Sequence, residues 1–361
     1  MQFTRMVARW FPVPHILVPH GVGVDITDAS VKWLSLAPEK NGVRIKKYGS
    51  ENIPKGVVQA GAVRDPAALG AILATLKKRE GISHAHAALP EEGAYVFSMH
   101  VPPESSREHI ESMIEFELVN RVPIPPAQTV YDYDTVLSRD ESGDEISVTV
   151  FPREIAEGYV TAFARAGIEL LSLEIEARSI ARAVSGREND PVTLLVDCGL
   201  SRTGVAILKH GIPIFTSTVD IGGDHLTKAV MEALSITTEV EAEVFKNEKG
   251  LEIRDPANPK GYEAVEKVAA QLAEEIARHY RFWDTRRSEG NTRTPPVERV
   301  FLLGGSANLR GLPDYIAGKV QAETVRPNVW RNLFSFDDYI PPIEYRSSFK
   351  YATAIGLAMR S

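Results

Sequence analysis

The chain has 361 residues, a formal net charge of -7, 43% hydrophobic residues and one cysteine. That length suggests two or three domains, each with a core large enough to stand without disulfides or metals. The lone Cys198 excludes a disulfide framework and a cysteine-only zinc site, and the acidic balance argues against a general nucleic-acid binder.

Residues 1–20 carry Arg5 and Arg9, no acidic residue, and prolines at 12, 14 and 19. The prolines interrupt any signal-peptide core, and no window of the chain offers the ~20 apolar residues that span a bilayer. This segment is expected to be an arm docked on the body. A weak membrane-surface contact through Met6, Trp10 and Phe11, and disorder, are the alternatives.

Val22–Ile26, Val31–Leu36 and Val43–Tyr48 read as a three-stranded meander. Pro66–Glu80 reads as a helix, with Leu69, Ile72, Leu73 and Leu76 on one face. Next come a strand (Tyr95–Val101), a helix (Ser105–Val119), a hairpin (Val130–Leu137 and Ile146–Phe151), a helix opened by Pro152 and ended by Gly167, and a strand (Leu170–Ile175). This β-α-β-β-α-β order predicts a module over 88–172, its helices on one face of a small sheet. After a short helix (Arg178–Val184), Val192–Val196, Gly204–Lys209 and Ile212–Val219 repeat the N-terminal meander. We read this as an internal duplication. Helices follow at Asp224–Leu234, Thr238–Asn247 and Tyr262–Arg286, then a strand (Val297–Leu303) and a helix near Leu312–Ala322.

Three turns carry the chemistry. Asp25-Ile26-Thr27-Asp28-Ala29-Ser30-Val31-Lys32 joins two strands and can present N–H groups and hydroxyls to a phosphate. Asp197-Cys198-Gly199-Leu200-Ser201-Arg202-Thr203 repeats that logic, with Gly199 where a side chain would obstruct an anion. The two aspartates, one per turn, could hold a hydrated Mg²⁺ between them. Gly304-Gly305-Ser306-Ala307-Asn308 follows an apolar strand and permits close approach of a nucleotide. Each turn alone also fits an ordinary solvated turn, and Cys198 reads as a small apolar residue. Gly222-Gly223 opens a helix, and Glu243 and Lys246 stand three apart on another, either as a solvated ion pair or as contacts to a ribose or adenine edge. The spacings of a P-loop, a GxGxxG site, an HExxH site and a GxSxG elbow are not found.

Duplicated meanders with Asp-led turns and a late Gly-Gly-Ser turn resemble the actin-like (ribonuclease H-like) ATPase superfamily, an α/β fold. The chain is more closely similar to the PilM family of type IV pilus assembly proteins. This rests on GVDITDASVK, IEFELVNRVPIPP, VDCGLSRTGVAI, DIGGDHLTKAV, AEVFK and FLLGGSANLRGL. The resemblance implies a first actin-like unit at 21–87 with 173–190 and 330–361. It implies an inserted subdomain at 88–172 and a second actin-like half at 191–329 with a helical nucleotide-side subdomain.

It also implies ATP with Mg²⁺. Asp25, Thr27, Asp28, Ser30 and Lys32 would lie at the first phosphate turn, and Asp197, Gly199, Ser201 and Thr203 at the second. Gly222 and Gly223 would flank the sugar-phosphate, and Glu243 and Lys246 would face ribose and adenine. Gly304, Gly305, Ser306 and Asn308 would form the adenosine side. Asp25 and Asp197 would hold Mg²⁺ through water, with Asp197 as the catalytic candidate and at most slow ATPase activity. Thr27 stands where the family usually has glycine, and Asp28 adds a charge that Arg202 could offset.

The implied partner is the cytoplasmic N-terminal peptide of a PilN-like inner-membrane protein. The implied peptide groove lies between the first unit and the inserted module, and the implied site of action is the cytoplasmic face of the pilus assembly platform. A homo-oligomer is possible. The competing readings are an FtsA-like polymerising membrane scaffold, a nucleotide-free pseudo-ATPase of a type II secretion-like platform, and a phosphotransferase or phosphatase.

Overall fold

The computed structural model describes residues 21–39, 42–137, 143–186, 190–252, 256, 259–285 and 294–360. The arm expected at 1–20 lies outside them, as does the C-terminal end of the helix expected to reach Arg286.

Alternating apolar residues make β1 (Val22–Ile26), β2 (Ser30–Glu39) and β3 (Gly42–Asn52), an antiparallel meander. A small hairpin, β4 (Val58–Gln59) and β5 (Ala62–Val63), leads into α1 (Pro66–Glu80), which Asp65 caps through the Ala67 and Ala68 N–H groups. Then β6 (His84–Leu89) pairs parallel to β1.

The chain next leaves this sheet to form β7 (Tyr95–Val101), α2 (Arg107–Arg121), β8 (Thr129–Leu137) and β9 (Asp144–Pro152). The three strands form their own sheet in the order β7-β9-β8. Ile114 and Leu118 of α2 pack on Phe97, Met99, Ile146 and Val148 as a separate small core.

α3 (Arg153–Ala166) and β10 (Glu169–Ile175) complete the β-α-β-β-α-β order, yet they return to the first sheet. β10 pairs parallel to β6, and α3 lies on α1, so close that a Cβ at Gly70 would sit 2.9 Å from Arg165. The module expected at 88–172 is therefore smaller than the element order suggested. The reason is physical: the α3 stripe of Ala156, Tyr159, Ala162, Phe163 and Ala166 matches the core under the first sheet. A strand's own sequence does not name its neighbour.

α4 (Glu176–Val184) leads to the second sheet: β11 (Thr193–Cys198), β12 (Thr203–Lys209) and β13 (Ile212–Val219). After α5 (Gly223–Leu234), α6 (Glu239–Lys249) and α7 (Pro259–Thr285) come β14 (Arg299–Leu303), α8 (Leu312–Val320) and β15 (Glu323–Val325). α9 (Tyr345–Ser348) and α10 (Ala352–Ala358) return to the first half.

The two large sheets share one topology. The first runs β10-β6-β1-β2-β3 and the second β13-β12-β11-β14-β15. In each, an antiparallel meander is extended by two parallel strands.

Candidate functional site

The duplicated halves face each other across a cleft of about 270 Å³. The first turn supplies Asp25, Thr27, Asp28, Ser30 and Lys32 to its wall, the second Asp197, Gly199, Ser201 and Arg202, and the third Gly304 and Gly305. All three turns expected from the sequence thus meet in one place.

Their local geometry is specific. Gly304 has φ +82°, and a Cβ there would lie 2.4 Å from Asp197 Oδ1. Only glycine fits this conformation and approach. At Gly199 a Cβ would meet the Arg202 carbonyl at 2.7 Å. Gly305, by contrast, faces open space.

The Thr27 hydroxyl turns into its own turn, accepting from the Ser30 N–H at 3.2 Å. Asp28 accepts from the Ala60 and Gly61 N–H groups at 3.0 and 2.9 Å. The additional carboxylate is thereby tied to the β4–β5 turn. Arg202 Nη1 stands 3.6 Å from Asp28 and 2.7 Å from Glu92, so a guanidinium of the second half offsets carboxylates of the first.

The cleft floor is acidic and buried. Lys32 Nζ donates to Asp25 Oδ2 at 2.9 Å. Burial, the largest single influence, would lower the Lys32 pKa, but Asp25, Glu176 and Asp197 together outweigh it and the net shift is upward. Asp25 Oδ1 is buried and has no hydrogen-bond partner. Burial, with the Asp25 charge added, pushes Asp197 up to about 6. Burial pushes the Cys198 thiol up to about 12, in keeping with its reading as an apolar residue. Among the described residues no group of three or more His, Cys, Asp and Glu side chains is placed to hold a metal ion directly. An orphaned carboxylate oxygen, an Asp-rich floor and a cradle that a Cβ would fill suit a hydrated cation carrying an anionic ligand.

The remaining predicted residues stand off the cleft lining. Thr203 is buried and donates to the Ile221 carbonyl. Gly222 and Gly223 pack behind the second turn, where the Gly223 N–H donates to Gly199 O at 3.1 Å. Ser306 Oγ donates to the same oxygen at 2.9 Å. Lys246 is buried and donates to Thr227 Oγ1 at 2.9 Å, while Glu243 is half-exposed, 3.5 Å from Lys246 Nζ. Asn308 binds the Arg346 carbonyl. Gly223 and Ser306 thus brace the second turn through the Gly199 carbonyl.

The cleft also contains groups that sequence reading missed: Glu91, Glu92, Glu176 and Lys350. Glu91 is buried, and Glu176, partly buried, lies beside it. Burial and the neighbouring carboxylates push Glu91 up to about 7, and Glu176 rises too. The signal for Glu176 was present, since it is a carboxylate at a strand end, like Asp25 and Asp197.

A second concavity, about 340 Å³, lies between two edge strands: β8 of the small sheet and β10 of the first large sheet. Val130–Asp134 form one wall and Leu173–Ile175 the other, with Arg178, Arg182 and Arg360 between them. Arg178 spans it with two hydrogen bonds to Asp134, at 2.8 and 2.9 Å.

The sequence model described as Type IV pilus assembly protein PilM matches residues 23–361. The chain belongs to the PilM family. It is thus an actin-like protein of type IV pilus assembly. The fold of this PilM-family chain is similar to the solved PilM-PilN type IV pilus biogenesis complex, with TM-score 0.77 and 21% identity over 95% of this chain and 98% of that one. It also resembles MreB5 of Spiroplasma citri bound to ADP, with TM-score 0.53 and 13% identity over 94% of each chain. Among curated sequences it is 23% identical to the cell division protein FtsA of Staphylococcus epidermidis, covering 84% of this chain and 74% of that protein. Among the described residues no helix is long and apolar enough to cross a membrane.

Proposed function

We propose that this chain is an ATP-binding adaptor that holds the cytoplasmic N-terminal peptide of a PilN-like inner-membrane protein. The observation that carries this reading is the convergence of all three turns on one cleft between duplicated halves. Asp25 and Asp197 would hold Mg²⁺ through water, and the orphaned Asp25 Oδ1 suits that role. The Gly304–Gly305 backbone would pass close to the nucleotide. Bound Mg²⁺ would neutralise the polyphosphate against the acidic floor. The groove between β8 and β10 would take the peptide, because each wall is an edge strand to which an extended chain can add. Held in this way, the chain would act at the cytoplasmic face of the inner membrane through its partner.

The test is calorimetric titration of Mg-ATP and of a PilN-like N-terminal peptide, separately and together. Both should bind. Asp197→Ala should weaken Mg-ATP by tenfold or more and alter peptide affinity. Unchanged affinities on both counts would overturn the reading. The similarity to FtsA favours a second reading, a polymerising membrane scaffold. ATP-dependent co-sedimentation with lipid vesicles would support it over the first.

A further inference from the structure

The nucleotide cleft and the β8–β10 groove are lined by the same two stretches of chain. Leu89 lines the groove, and Pro90, Glu91 and Glu92 line the cleft. Glu174 and Ile175 line the groove, Glu176 lines the cleft, and Arg178 lines the groove again. The stretches run side by side, because Leu89 pairs with Ile175 as the last register pair of β6 and β10. Beyond that pair the sheet ends, and Glu91 provides the next tie. Its carboxylate accepts from the Ala177 N–H in the first turn of α4. Glu92 takes Arg202 from the second half, while Arg178, one residue past Ala177, takes Asp134 from the small sheet.

We infer that Glu91 is a positioning residue that transmits the state of the cleft to the groove, so that nucleotide sets peptide affinity through the contact series Arg202, Glu92, Glu91, Ala177, Arg178 and Asp134. This rests on the adaptor reading above and adds the regulatory part. Arg202 moves with the second half. A shift of Arg202 displaces the Glu91–Gly93 turn, and Glu91 carries the displacement to the start of α4. Arg178 and Asp134 then widen or narrow the groove. The series is contiguous and crosses both halves and the small sheet, as energetic coupling between two sites requires.

The experiment measures peptide affinity with and without saturating Mg-ATP on the full chain. A ratio of at least about fivefold is expected for the unmodified protein. In Glu91→Ala the ratio should fall to about one, while peptide affinity without nucleotide stays within about threefold. Glu91→Gln should restore the ratio, because its amide oxygen can accept from Ala177 as the carboxylate does. A merely structural role for Glu91 would not move this ratio independently of affinity. Hydrogen exchange on the unmodified chain supplies a test that needs no variant: Mg-ATP should change protection at Leu173–Arg178. Binding of both ligands with a ratio of one, an unchanged ratio in Glu91→Ala, or exchange at Leu173–Arg178 unmoved by Mg-ATP would each overturn the inference and leave the adaptor reading standing. Binding of neither ligand would overturn the adaptor reading itself.

Discussion

Adjacent glycines in the third turn answer to different demands. Gly304 holds φ +82° against Asp197, whereas nothing lies within 4 Å of a Cβ at Gly305. Gly304→Ala should cost about 1–2 kcal/mol for the left-handed backbone alone, and more for the clash. Gly305→Ala should leave thermal stability within about 0.5 kcal/mol but weaken Mg-ATP, because its Cβ enters open cleft. Differential scanning fluorimetry and calorimetry read the two effects separately. Glu91 gives a pH prediction. Its pKa is about 7 in the fold against the usual 4.5. Between these values the native chain keeps a proton that the unfolded chain has lost. The resulting stability is full below about 4.5 and is lost as pH rises through 7. The melting temperature of the ligand-free protein should therefore fall from pH 5 to pH 8, and fall less in Glu91→Gln. Some of this was legible in the sequence: Asp25, Asp197 and Gly304 stood out by residue type and place. The direction of the Thr27 hydroxyl and the tie from Asp28 to Ala60 and Gly61 were not, because both depend on where a distant hairpin lands.

At the scale of elements, periodicity carried most of the reading. The helix expected over Pro66–Glu80 is observed there, and Gly167 ends α3 in a left-handed cap. β6 escaped notice, because His84-Ala85-His86-Ala87-Ala88-Leu89 has little intrinsic strand preference. It is a strand because β1 and β10 flank it on both sides. The destination of α3 and β10 was illegible for the same reason: pairing is decided by the partner. One helix contact is as exacting as the turns. A Cβ at Gly356 of α10 would sit 1.8 Å from the Ser179 carbonyl oxygen of α4, and Ser179 Oγ donates to Thr353 O at 2.6 Å. Gly356→Ala must push two buried helices apart. A loss of about 3 kcal/mol in urea unfolding is expected, near the upper range for overpacking.

Beside the shared core that joins α4 to the second sheet, two charged contacts cross between the halves, and they differ in kind. Arg202 reaches Glu92 at the cleft mouth, where both side chains are about a quarter exposed. Such a pair contributes at most about 1 kcal/mol and is weakened by salt. The small sheet makes the second connection. Lys209 of β12 pairs with Glu145 of β9, both largely buried, and Ser147 Oγ donates to Pro213 O in β13. The small sheet is covalently part of the first half, so cleft opening must either break this buried seam or carry the small sheet along. Burial decides between these outcomes. Removing one partner of a buried ion pair leaves a charge without compensation and costs about 3–5 kcal/mol. The seam should therefore survive motions that break the Arg202 contact. Lys209→Met should release it, raising hydrogen exchange in β9 and β13 while β1 and β11 stay protected. Lys209→Met with Glu145→Leu should recover much of the lost stability, since an apolar pair of similar volume needs no counter-charge. Equal exchange in the single variant and the unmodified protein would overturn a holding role for the Lys209–Glu145 pair.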